Sequence, residues 1–305
     1  MATQSTFSQA ASSQVTEAFF NGIGDSGAAL AQMEKCVKID RDDVASLRKA
    51  AMGGITALQA WDGVSDPASA TLATVDATHS QTVTYSTYRL NVRLPSMDVR
   101  DVPGIVQESA QKLGFAVSNT VVTQGFTQAA GVYGTDAADG SPPIAGPTGH
   151  ALRSGNFANK ITTALAADSL AAAIANLRAF QDHEGTIFDA VSGSNGLALV
   201  VPPALEKTAK DLVSPAYAGD LLSSNYFYGY GISVVVNPHQ SDENDWFLTP
   251  TQSTPLRLWL RSSPEITSYT DPATNTLNLR CQMASASYFT PPGWQVITGA
   301  AVTGG

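Results

Sequence analysis

Residues 197–213 read LALVVPPALEKTAKDLV. Five apolar residues in succession predict a short apolar strand. Pro202 and Pro203 stop it, because proline offers no amide to a neighbouring strand. The same residue type suits the first turn of a helix. A helix is therefore expected to follow, with Leu205, Thr208, Leu212 and Val213 turned inward.

Working outward, DSLAAAIANLRAFQD (168–182) predicts a helix capped by Asp168. Leu170, Ile174, Leu177 and Phe180 form its stripe, and it is expected to end near Gly185. Downstream, the aromatic run NYFYGYG (225–231) precedes a strand from Ile232 to Val236, which Pro238 ends. The acidic turn SDEND (241–245) leads into Trp246, Phe247 and Leu248. Residues 256–261 and 276–282 alternate as strands, and the chain closes near Trp294 with a Gly-rich tail.

The N-terminal half is less regular. Residues 1–20 are rich in Ser, Thr, Gln and Ala, with Phe7, Phe19 and Phe20 as large anchors; they read as an arm without a core of its own. Residues 28–60 have helical composition, with Met33, Val37, Val44, Leu47, Ile55 and Leu58 as candidate buried positions. Residues 61–80 read as loop. From Thr82 to Leu94 the chain is β-branched and aromatic. Leu90, Val92 and Leu94 fall on one face, and Arg89, Asn91 and Arg93 on the other. Asp101 and Pro103 signal a helix start, and Ile105, Ser109, Leu113, Val117 and Val121 carry a stripe out to about residue 130. Residues 131–158 form a long Gly/Pro/Ser/Asp-rich loop, of a length that usually has a role or lies across something. Without regular βαβ alternation, the fold class is α+β.

Composition bounds the function. Lys and Arg number 17 against 26 Asp and Glu, a net charge of −9. Such a chain is not expected to grip duplex DNA over a broad face. Charged residues are 14%, against roughly 25% in typical soluble domains. A neutral surface fits burial against copies of the same chain; it equally fits an Ala/Ser/Thr-rich bias. Cys36 and Cys281 are too far apart for a framework or a metal spacing and read as buried free thiols. No signal peptide, membrane span or internal repeat is expected.

Catalytic and binding motifs are weak. Gly22, Gly24 and Gly27 spell G-x-G-x-x-G with Asp42 and Asp43 downstream, but VTEAFFN ahead of them is no buried strand. A hinge is the plainer reading. His79, His150, His183 and His239 read as solvated or capping histidines. SDEND lacks the glycine and terminal glutamate of a calcium loop. Asp182, Glu184 and Asp189 read as helix-end surface. No catalytic residue, metal ligand or cofactor site is assigned. The cationic strand face, Arg89 and Arg93 with Arg100 beyond, is the most informative charge feature. In an acidic protein it suits carboxylates on a neighbouring copy.

Taken in order, the helix 168–182, the strand ending Val-Val-Pro-Pro, the helix after it, Val236-Asn237-Pro238, Trp246-Phe247-Leu248, the Pro-Leu-Arg strand 255–261 and Trp294 resemble the major capsid proteins of tailed bacteriophages, the Hong Kong 97 fold, and more loosely the Mu-like major head subunits. The resemblance implies an N-terminal arm and helix over 1–60, an extended β-loop over 61–100 and a peripheral domain with a long spine helix over 101–189. It further implies an axial domain over 190–272 and return strands over 273–305. It implies a non-enzymatic protein that self-assembles, as pentamers and hexamers, into an icosahedral shell around double-stranded DNA. That shell would be assembled in a bacterial cytoplasm and kept in the virion. No charged helical leader is expected, so scaffolding would come from a separate protein, beside portal and decoration proteins. DNA would be enclosed without sequence-specific binding, and no membrane is involved. Arg89, Arg93, Arg100, Phe7, Phe19 and Phe20 are the inter-subunit contact candidates. Gly22, Gly24, Gly27, Gly53 and Gly54 are the hinge candidates. The alternatives are a tail or tube component, or a hydrolase with an unrecognised convergent site.

Overall fold

A computed structural model describes residues 2–44, 46–52, 77–147, 149–152, 155–182, 185, 187–192, 196–214, 225–291 and 297–301, with backbone alone for 2–12, 50–52, 77, 78 and 188. In chain order the elements are α1 (Ala2–Gly24), α2 (Gly27–Met33), β1 (Lys38–Arg41), β2 (Leu47–Met52), β3 (Ala77–Val83), β4 (Ser86–Pro95), α3 (Ser96–Asp101) and α4 (Ile105–Ala130). Then come β5 (His150–Ala151), β6 (Asn156–Phe157), β7 (Lys160–Ile161), α5 (Ala167–Arg178), β8 (Phe180–Gln181), β9 (Ile187–Phe188), β10 (Leu197–Val201) and α6 (Glu206–Val213). β11 (Ile232–Val236), β12 (Trp246–Pro250), β13 (Leu256–Asp271), β14 (Thr276–Phe289) and β15 (Thr298–Ala300) complete them.

Two sheets organise two cores. The first has the order β1-β13-β14-β4 and lies against α4. One face of α4 supplies Leu113, Val117 and Val121 of the expected stripe, together with Phe126, to Leu258, Leu279, Cys281 and Met283 of the sheet; Ile105 and Ser109 are half-buried. The second has the order β11-β10-β12-β15-β7 and is packed by α5 and α6. β10, an unbroken apolar run, is buried at all five positions. Both its neighbours are hydrogen-bonded to it, β11 in parallel and β12 antiparallel.

Several expectations are overturned. Residues 28–60 do not form one helix. After α2 the chain extends, and β1 pairs parallel with β13 from Lys38↔Arg257 to Arg41↔Leu260. Ala-rich helix propensity is a weak prior that strand pairing overrides. Residues 1–20 do have a core, because α1 packs on α4 with Val15 and Phe19 buried. The strand expected from Thr82 to Leu94 is two strands, and β3 starts within the expected loop. Asp101 closes α3 and does not cap α4, which starts after Gly104 at φ 83°. The cap position of α5 is Ala166, whose amide donates to the Ser169 hydroxyl at 2.8 Å. On α6 Ala209 is buried in place of the exposed Thr208; a 3₁₀ turn over Pro203–Leu205 precedes the α-helix.

Two of the expected domain limits fall on described elements. The limit expected at 272/273 falls in the turn of the β13–β14 hairpin, whose two strands belong to one sheet. The limit at 189/190 separates α5 from the sheet it packs on. The limit at 60/61 lies outside the described residues, as do Gly53, Gly54, His183, Glu184 and Trp294.

Candidate assembly surface

The sheet under α4 has a second face. At one end Trp259 and Tyr288 are capped by Leu47 and Val83 from the base of the β2–β3 ribbon, with Tyr85 beside them. The Trp259 indole N–H donates to the Asp42 carbonyl at 2.7 Å, which closes the seat. The ribbon pairs with itself over Leu47↔Val83 to Met52↔Ala77 and with no other strand among the described residues.

Beyond this seat the same face turns cationic. Arg89 lies opposite Gln282, Asn91 opposite Arg280 and Arg93 opposite Asn278, so three guanidinium groups share one side of the sheet. Arginines nearer the ribbon have carboxylates of their own chain within ion-pair distance. Arg257 meets Asp40 at 3.5 Å, while Arg261 meets Asp43 at 3.5 Å and stacks on the Tyr85 ring at 4.3 Å. Among the described residues Arg89, Arg93 and Arg280 make no such ion pair; Arg93 only helps hold the Asp271 carboxyl below its usual range, after hydrogen bonds from Thr274 and Ala273. Arg100 pairs with its neighbour Asp101 on α3.

β4 is also an edge strand of ten residues. Its α4-facing side starts buried at Leu94 and emerges at Leu90 and Tyr88, which are 47% and 41% exposed. A cleft of about 230 Å³ lies there between Tyr88, Leu90, Ala116, Thr120 and Met283. Among the described residues no strand pairs with this edge, and a strand edge with apolar side chains is a ready template for another chain. Sequence reading missed this groove, although the Leu90/Val92/Leu94 alternation was its signal.

The remaining candidates separate cleanly. Phe19 is fully buried in its own chain, so it is not a contact residue; Phe20 beside it is 55% exposed. The Phe7 side chain lies outside the described residues. Gly22 lies inside α1 against α4 and cannot act as a hinge there. Gly24 and Gly27 flank a two-residue turn between α1 and α2 with open space around them.

The G-x-G-x-x-G stretch begins inside α1, so no strand presents it to a dinucleotide. His150 is completely buried, contrary to the solvated reading, and His239 is exposed. Asp189 caps the turn at Val191 and Ser192, whose hydroxyl and amides lower its carboxyl. Burial pushes the Cys36 thiol up to about 12, and Cys281 is raised for the same reason. Burial, with Asp245 and Asp242 nearby, also raises the Tyr133 phenol. Among the described residues no group of three or more His, Cys, Asp or Glu side chains is placed to hold a metal ion, and no helix is long and apolar enough to cross a membrane.

The family model for phage capsid proteins matches residues 78–289, from β3 to the last residue of β14. This chain belongs to the phage capsid protein family. It is a major capsid protein, a subunit that builds the shell. No curated protein matches it in sequence. Solved structures show the fold. The capsid of Ralstonia phage GP4 is 10% identical with a TM-score of 0.57, over 87% of this chain and 85% of that one. The virus-like particle from Pyrococcus furiosus is 11% identical at 0.53, over 93% and 96%. The procapsid of bacteriophage JBD30 is 13% identical at 0.52, over 98% and 76%. The capsid protein is thus α+β with the Hong Kong 97 architecture.

Proposed function

We propose that this capsid protein closes its shell through the exposed face and edge of β4 on one copy and the β2–β3 ribbon of the next. The carrying observation is the row of Arg89, Arg93 and Arg280 on one side of the sheet, which form no ion pair with a carboxylate among the described residues. Residues 53–76, between the two ribbon strands, carry Asp62, Asp66 and Asp76 and no Lys or Arg. Opposite charge at two sites of one chain favours a head-to-tail contact, and such contacts close into rings.

In this reading the ribbon is the extended loop and α4 the spine helix. The β1-β13-β14-β4 sheet forms the peripheral domain and the β11-β10-β12-β15-β7 sheet the axial domain. Copies form pentamers and hexamers of an icosahedral shell around double-stranded DNA, assembled in a bacterial host cytoplasm. The net charge of −9 suits a wall that does not hold DNA by sequence. Phe20, Arg100 and Phe7 are further contacts, and Gly24, Gly27, Gly53 and Gly54 the hinges between fivefold and sixfold settings. Separate scaffolding, portal and decoration proteins complete the particle. The chain carries no enzymatic role.

Expression of the full chain, alone and with its neighbouring genes, tests this by negative-stain microscopy and sedimentation. Shells, or pentamer and hexamer rings, are expected. Stacked tubes, or a compact monomer at high concentration in both settings, would overturn it.

A further inference from the structure

The first sheet has a second opening, at its β1 edge and away from β4. α1 meets α4 at Gly114, against the Phe19 carbonyl, and α2 meets it at Gly125, against the Met33 side chain. Those two glycines are roughly three turns apart, about 16 Å along a helix. Between them a cleft of about 470 Å³ opens beside Val117, Ser118 and Val121 of α4. Its far wall is β13, at the place where the register with β14 slips twice between Leu260 and Glu265. β1 stops pairing there as well, at Arg41↔Leu260.

The lining is mostly apolar, with Ile23 and Leu30 from the α1–α2 side, Ile39 from β1, and Leu260 and Pro264 from β13. Arg41 and Arg261 are balanced by Asp42 and Asp43, and Arg41, Asp42 and Asp43 are exposed, so they mark the mouth. Two polar atoms of lining residues are short of partners. Ser118 is 3% exposed, and its Oγ makes no hydrogen bond among the described residues. Thr120 on the same helix returns its hydroxyl to the Ala116 carbonyl at 2.8 Å. Arg261 Nε is buried with no acceptor in hydrogen-bond geometry, and the exposed Asp43 carboxylate stands 3.5 Å off.

Buried polar atoms are seldom left so. A cleft of this size, apolar with a few polar groups, has the form of a small-molecule site. The lining selects the class of molecule. Both open groups carry a hydrogen to donate, so the occupant brings an acceptor oxygen. Charges of both signs at the mouth give an ion no net pull, and Arg261 already faces Asp43. An ion carried onto the apolar wall would lose its water without a free counter-charge.

We propose that this cleft binds a small, neutral, mostly apolar molecule whose acceptor oxygen (an alcohol, phenol or ketone) is hydrogen-bonded by Ser118 and Arg261. The occupant touches α1, α2, α4 and β13 together. It thereby ties the turn between Gly24 and Gly27 to the sheet and stabilises the fold, apart from the assembly surface on β4.

The test is calorimetric titration of the full-length protein with three probes of one shape: 2-naphthol, naphthalene and 2-naphthoate. 2-Naphthol should bind about tenfold more tightly than either of the others, the scale of one buried hydrogen bond. It should also raise the unfolding midpoint as its concentration rises. Equal affinity for 2-naphthol and naphthalene would overturn the acceptor, preference for 2-naphthoate would overturn the neutral class, and no binding of any probe would overturn the site. In Ser118→Ala the advantage of 2-naphthol over naphthalene should shrink at least threefold while naphthalene still binds. An undiminished advantage would place the probe elsewhere and overturn the assignment. The three-probe comparison on the parent protein decides the matter whether or not that variant folds.

Discussion

A Cβ placed on Gly22 of α1 would stand 2.0 Å from the carbonyl oxygen of Gln111 on α4. Three residues along α4 the relation is mutual: a Cβ on Gly114 would stand 2.0 Å from the carbonyl of Phe19. The two helices thus touch backbone to backbone, and Phe19 is driven into the core beside the crossing. Gly114→Val is expected to force α1 off α4 and cost on the order of 3 kcal/mol, the upper range for overpacking. Urea unfolding of the variant checks it; an unchanged midpoint would mean that α1 has another seat.

Removing residues 1–20 takes away Val15 and Phe19, both buried. Loss of a buried Phe alone costs about 3–5 kcal/mol. The truncated chain should therefore unfold at clearly lower denaturant, measured by circular dichroism, as well as assemble less well.

The double variant Arg89→Glu, Arg93→Glu acts on exposed side chains of an edge strand. Its unfolding free energy should stay within about 0.5 kcal/mol of the parent. Its particle yield should fall at least tenfold by sedimentation. Normal yield would remove the cationic face from the assembly contact.

Trp259→Ala empties the seat beneath the ribbon and should cost about 3–5 kcal/mol. Protease sensitivity near Leu47 and Val83 should rise with it, because both pack on the indole. Equal protection in variant and parent would place the ribbon's anchorage elsewhere.

The buried thiols supply a pH test. The Cys36 thiol is raised from 9.0 to about 12 by burial. The folded thiol then stays protonated where the unfolded one ionises. Stability from this group is present below pH 9 and falls between about 9 and 12, by up to about 1.4 kcal/mol per unit. Denaturation of the parent and Cys36→Ala should converge across that window. Thiol reagent at pH 8 should label neither cysteine before unfolding.

Much of the second core was legible in the sequence. Leu197–Val201, the double proline and Trp246–Leu248 are contiguous apolar signals, and each became a buried strand or its stop. The first core was harder to read. Lys38–Arg41 looks like helix by composition and becomes a strand only because Leu256–Leu260, over two hundred residues away, lies beside it. Phe19 looked exposed because its cover comes from α4, through two glycines that carry no hydrophobic signal. The cationic face was readable in the 89–93 alternation. His150 was not, because a buried histidine bonded to Asp139 and Asn159 has no sequence mark.

In the second sheet β15 lies between β12 and β7. Those two strands end by Pro250, yet the strand that joins them spans Thr298–Ala300. A ribosome therefore synthesises some fifty further residues before β7 can be tied to the rest of that sheet. Each growing polypeptide is thereby kept incomplete until Thr298–Ala300 has emerged, which sets a built-in delay before it can recruit its siblings.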